Sequence, residues 1–127
     1  MPVLDRWNGT RIVALPRALD AADWPQGALA LRLAADEVLV TAAVDAAVVD
    51  DPHAIVERET GFSFLWLEHA AAIDFLEREC DWELPDGRPA FAEGLVAGLP
   101  LKIWFERNRV LFVVASPFAA DLTERLR

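Results

Sequence analysis

Chemistry in this 127-residue chain would have to come from very few side chains: one cysteine, two histidines and one close pair of carboxylates. Cys80 falls on the apolar stripe at the end of a helical pattern and has no adjacent basic group. That is the setting of a buried structural thiol, not of an activated thiolate. His69 opens the same pattern beside Glu68, where it can be a base, a ligand or a surface residue. His53 follows Asp50-Asp51-Pro52 in a loop. Two histidines and two aspartates are donors that a metal accepts, but no pair has the i,i+4 or alternating-strand spacing that preforms a site. Glu57 and Glu59 share one face of a strand, about 7 Å apart at strand rise. Such a pair can share a proton, and is more often a solvated edge with Arg58 pointing the other way. DGRP at 86–89 reads as a turn and GLVAG at 94–98 precedes a strand, so neither is a phosphate loop. No nucleophile elbow or metalloprotease motif occurs. The expectation is no catalytic residue, no cofactor and no metal.

The aromatic residues carry a different message. GFSFLWL at 61–67 is apolar on both faces when read as a strand: Phe62, Phe64 and Trp66 point one way, Leu65 and Leu67 the other. Each side needs a cover. Five tryptophans and no tyrosine are a surplus for a small core, and tryptophan is favoured at interface hot spots. A second strand pair repeats the two-sidedness. With Arg107-Asn108 as its turn, Phe105 faces Val110, Trp104 faces Leu111 and Ile103 faces Phe112. One face collects Leu101, Ile103, Phe105, Val110, Phe112 and Val114. The other carries Lys102, Glu106 and Arg109 near the turn, then Trp104, Leu111 and Val113. Trp66, Trp104, Leu111 and Val113 are therefore the candidate interface residues, for a protein partner or a homodimer.

Composition excludes several classes. With 12 Lys+Arg against 21 Asp+Glu the formal charge is −9, and a pI near 4.6 argues against a surface that tracks phosphates or anionic lipid. Neither nucleic acid nor membrane is expected as a partner. A hydrophobic content of 54% is too high for a disordered acidic tail. No apolar run is long enough for a signal sequence or a membrane span, which predicts a cytoplasmic protein.

The elements that must position these residues follow from periodicity. Residues 1–27 read as a loosely structured N-terminal segment, with a brief strand at 11–15 and Trp24 as a plug on the core. Residues 28–41 read as a β-hairpin turning at Ala35-Asp36, and 42–49 as a short helix or coil ended by Asp51-Pro52. Strand 54–59 leads through Thr60-Gly61, a bulge or bend, into the doubly apolar strand. A helix spans 69–80, with Ala72, Ile73, Leu76 and Cys80 inward and Asp74 and Arg78 outward. A loop covers 81–93, strand 95–106 pairs with 109–115, and Ser116-Pro117 starts a final helix striped by Phe118, Leu122 and Leu126. The fold class is α+β: a single domain with a small, mostly antiparallel sheet of about five or six strands and two helices on one face.

From Ala28 onward the order of motifs resembles the gamma subunit of heterotetrameric sarcosine oxidase, and more distantly one half of the folate-binding domain of aminomethyltransferases. The carriers are LALRLAADEVLV, then AIVERETGFSFLWLEHAAAIDFLERECDWEL, in which a helix ends at a cysteine before an Asp-x-x-Leu element. FAEG before the last hairpin and SPFA at the last helix complete the set. The resemblance implies a non-catalytic accessory subunit without flavin, nucleotide or metal of its own, packed against cofactor-bearing subunits. The alternative it leaves is a folate- or amine-type small-molecule module completed by a homodimer.

Overall fold

The computed structural model describes residues 4–127, and these fold as two compact units. The small unit is Trp7–Thr60, and the large unit is 61–127 together with residues 4–6. In chain order the strands are β1 (Asp5–Arg6), β2 (Gly9–Val13), β3 (Ala30–Ala34), β4 (Glu37–Val40), β5 (Ile55–Glu59), β6 (Phe62–Glu68), β7 (Ala90–Val96), β8 (Leu99–Phe105) and β9 (Arg109–Ala115). The helices are α1 (Pro16–Asp20), α2 (His69–Glu79) and α3 (Ala119–Arg125). The α+β class is as the sequence predicts. The strands number nine among the described residues and form two sheets, one per unit, where one sheet of five or six was expected.

The large unit holds a five-stranded antiparallel sheet in the order β1-β6-β9-β8-β7. Its inner face presents Leu101, Ile103, Phe105, Val110, Phe112 and Val114 to Ala72, Phe75 and Leu76 of α2 and Leu122 of α3. Each fully buried Leu, Ile or Phe there contributes about 1.5–3 kcal/mol. Ala72, Phe75 and Leu76 stand at i, i+3 and i+4, which is why α2 has a single inward stripe. Phe75 packs on Phe112 with ring centroids 5.9 Å apart. On the wet side Asp74 and Arg78 approach to 3.7 Å, an exposed pair worth a few tenths of a kcal/mol, about 0.3–0.5. The β8–β9 register is the expected one: Phe105 opposite Val110, Trp104 opposite Leu111, Ile103 opposite Phe112.

Two expectations for this unit are corrected. The run 95–106 is not one strand, because Ala97 (φ 52) and Gly98 (φ 80) make a two-residue turn between β7 and β8. Two consecutive positive φ values are the geometry that matches strand twist in a tight hairpin. Ser116 does not cap the last helix: its hydroxyl pairs with Ser63 at 2.9 Å, and a 3-10 turn over Ser116–Phe118 precedes α3.

The small unit holds a four-stranded antiparallel sheet in the order β3-β4-β2-β5. The hairpin β3–β4 turns at Ala35-Asp36 as expected. Thr60-Gly61 is not a bulge within one strand; β5 belongs to this sheet and β6 to the other. The brief strand expected at 11–15 runs over 9–13 and lies in the interior of the sheet, between β4 and β5, not in a loosely structured segment. Its partners lie far along the chain, so local pattern alone understates it. The core is Ile12, Ala14, Ala18, Leu19, Val38, Val40 and Val49, with Trp24 packed against it as the predicted plug. Thr10 is buried and stitches the unit: its hydroxyl donates to the Ala42 carbonyl at 2.9 Å and accepts from the Val44 amide at 3.0 Å. Gly9 is required because a Cβ there would strike both the Trp7 ring and the Val40 carbonyl.

Candidate functional site

The outer face of the large sheet is assembled by register. Phe64 and Trp66 on β6 lie opposite Val113 and Leu111 on β9, which in turn lie opposite Lys102 and Trp104 on β8. Phe91 and Glu93 on β7 extend the same face. Alternation therefore gathers all four candidate interface residues on one surface. They differ in exposure. Leu111 and Val113 are each 1% exposed, so in this central strand they back the face, while Trp66 and Trp104 are half-buried at its turn end.

The two indoles are joined by charge. The Arg109 guanidinium stacks 3.7 Å from the centre of the Trp66 ring and donates to the Glu106 carboxylate at 2.8 Å. Trp104 Nε1 donates to the other oxygen of Glu106 at 3.0 Å. Burial pushes the Glu106 carboxyl up, but the hydrogen bonds from Arg109 and Trp104 and the Arg109 charge outweigh it and hold the group below its usual range. The result is a row Trp66-Arg109-Glu106-Trp104 in which both Glu106 oxygens are engaged. Farther along, Lys102 lies 5.0 Å over the Phe62 ring and 3.4 Å from Glu93. Stacked cations fix the rings and keep the face wettable.

The other sequence candidates are divided between the two units. His53 lies in the small unit and His69 in the large one. The Asp51 carboxylate accepts from the Leu15 amide at 2.9 Å and from the His53 amide at 2.9 Å. Those two bonds, first that from Leu15, hold the carboxyl below its usual range. Glu57 and Glu59 lie on β5 at the sheet edge, with Glu57 opposite Arg11. Arg11 pairs with Glu37 on the neighbouring strand; that bond and the Glu37 charge, with the charges alone of Glu57 and Glu59 behind them, raise the Arg11 pKa. Cys80 packs against the helix-side core with its Sγ 3.5 Å from the Trp82 carbonyl, a structural setting. Among the described residues no group of three or more His, Cys, Asp or Glu is placed to hold a metal ion.

Sequence reasoning missed one contact. Arg88, in the loop before β7, donates from Nε to His69 Nε2 at 3.2 Å and stacks 4.8 Å over Phe105. Nothing in the spacing of His69 and Arg88 marks it, since the loop path sets the distance. Two hollows of about 270 and 500 Å³ occur in the small unit, one beside Leu15, Asp51 and His53 and one beside Thr10, Asp45 and Arg58. Compared with models of known families, with curated proteins and with solved structures, the chain matches none. No helix among the described residues is long and apolar enough to cross a membrane.

Proposed function

We propose that the protein is a non-catalytic accessory subunit, similar to the gamma subunit of heterotetrameric sarcosine oxidase, that docks a protein partner through the turn end of its large sheet. The observation that carries this reading is the row Trp66-Arg109-Glu106-Trp104. Tryptophan and arginine are the residue types most enriched in binding hot spots, and here their rotamers are fixed before any partner arrives, which lowers the entropic cost of association. Leu111 and Val113 serve as the rigid apolar backing. The order of sequence motifs supports the family reading, and the large unit, a five-stranded antiparallel sheet with α2 and α3 on one face, supports a half-domain of the kind that resemblance implies.

The test is sedimentation velocity from about 1 to 100 μM, a span that brackets micromolar association, on the chain alone and mixed with purified catalytic subunits of a sarcosine-oxidase-type enzyme. Association that Trp66→Ser or Trp104→Ser weakens by about tenfold or more supports the reading. A strict monomer that adds no mass to the catalytic subunits sinks it. Thermal melting with tetrahydrofolate separates the small-molecule alternative, since a ligand bound only by the folded state raises Tm in a saturable way.

A further inference from the structure

We infer that Arg88 and His69 form a proton-sensitive latch that holds the tip of the loop before β7 against the start of α2. Arg88 Nη1 donates to the carbonyls of Pro85, at 2.8 Å, and Gly87, at 2.7 Å, both within its own loop. Its Nε–H donates outward, to His69 Nε2 at 3.2 Å. The guanidinium thus binds the loop tip through Nη1 and reaches the helix through Nε. A guanidinium has no acceptor to offer, so Nε2 must carry a lone pair and the imidazole must be neutral with its proton on Nδ1. Protonation of His69 converts the acceptor into a second cation 3.2 Å from the first.

His69 is the first residue of the eleven-residue α2. Charged groups beside it in the chain, the loop tip or the register include Arg88 and Asp86 of the loop, Glu68 immediately before it, and Arg109, which lies opposite Glu68 in the β6–β9 register and is bound to Glu106. The β8–β9 turn contributes the Asn108 carbonyl, which accepts the His69 amide at 3.1 Å. Release is confined to the tip. Trp82 and Leu84 pack on the core, and Trp82 Nε1 donates to the Leu95 carbonyl at 2.8 Å, so the base of the loop stays in place.

The test uses the full ¹⁵N-labelled chain at about pH 7.5 and pH 5.5, spanning the range in which imidazoles titrate. The readout is exchange of the Arg88 Nε–H relative to the other arginines at the same pH. The expected result is a rise of about tenfold or more at the lower pH, the size of one hydrogen bond to a charged group. His69→Gln, which keeps a neutral acceptor, should show no such rise, and His53→Gln should behave as the wild type. The ¹⁵N shift of His69 Nε2 in the wild type, expected to be that of an unprotonated nitrogen at pH 7.5, tests the tautomer without any variant. A wild-type ratio that stays flat, a rise that persists in His69→Gln, or a proton on Nε2 at pH 7.5 overturns the latch.

Discussion

The two units are built from the same antiparallel grammar and held together by different forces. The large unit rests on area: seven-residue strands, an eleven-residue helix, and a core of Phe75, Phe105, Phe112 and branched aliphatics. The small unit has strands of four or five residues, a five-residue helix and a core largely of Ala and Val. It compensates with directed bonds: Thr10 to Ala42 and Val44, Asp51 to Leu15, Arg11 to Glu37, and Arg32 to Asp20. The lesson is that a short sheet with small side chains is specified by where its polar groups must go. A long one is specified by which face is apolar.

That contrast can be broken by substitution. Phe112→Ala removes the ring at the centre of the large core and should cost about 3–5 kcal/mol by urea unfolding; a loss under about 1 kcal/mol would show that the helices do not depend on it. Gly9→Ala forces a methyl into the Trp7 ring and a backbone carbonyl, and should cost about 1–3 kcal/mol. Hydrogen exchange should place that damage in β2 and β4, with β8 and β9 still protected. If instead the central strands of the large sheet lose protection equally, the units do not differ in the way described. Thr10→Val keeps the shape and strands the Val44 amide and Ala42 carbonyl, for about 1–3 kcal/mol. An equal cost from Ser63→Ala in the large sheet would erase the distinction between directed bonds and area.

The smallest effect is in pH. Asp51 in one unit and Glu106 in the other both have carboxyl pKa values lowered in the folded protein. Each contributes stability that is present above its unfolded pKa, near 3.9 for Asp and 4.3 for Glu, and lost as pH falls through the lower folded value. Acid titration of stability should therefore flatten in Asp51→Asn and, separately, in Glu106→Gln. A variant whose stability falls with acid as steeply as the wild type's would show that its carboxylate is not held as described.

The same contrast explains what the sequence discloses. The β8–β9 register is legible down to the residue because strict alternation fixes parity and Arg107-Asn108 fixes the turn. The stripe of α2 is legible from Ala72 and Leu76, and the row of Trp104, Glu106 and Arg109 follows from strand parity once that turn is placed. The Ala97-Gly98 turn is hidden, because alanine rarely adopts φ 52 and apolar residues run on both sides of it. The strands of the small sheet are legible, as the brief strand at 11–15, the hairpin over 28–41 and the strand at 54–59, but their assembly into a sheet of their own is not: β2 pairs with β4 and β5 far along the chain, and no local window contains that pairing. The His69–Arg88 contact is hidden for a related cause: it depends on the path of a loop, which hydrophobic pattern does not describe.

One pairing in the large sheet has a further consequence. β1 is only two residues long, yet it places Asp5 opposite Phe64 and Arg6 opposite Ser63. The chain thus departs from the large sheet and returns to it at adjacent points, and everything from Trp7 to Thr60 is topologically a single excursion. Closing an excursion costs entropy only as the logarithm of its length, so the large sheet tolerates a whole second sheet between two of its neighbouring strands. A short glycine-rich bridge from Arg6 to Gly61 would make the same closure, and the C-terminal half of the chain is in that sense a protein into which another has been written.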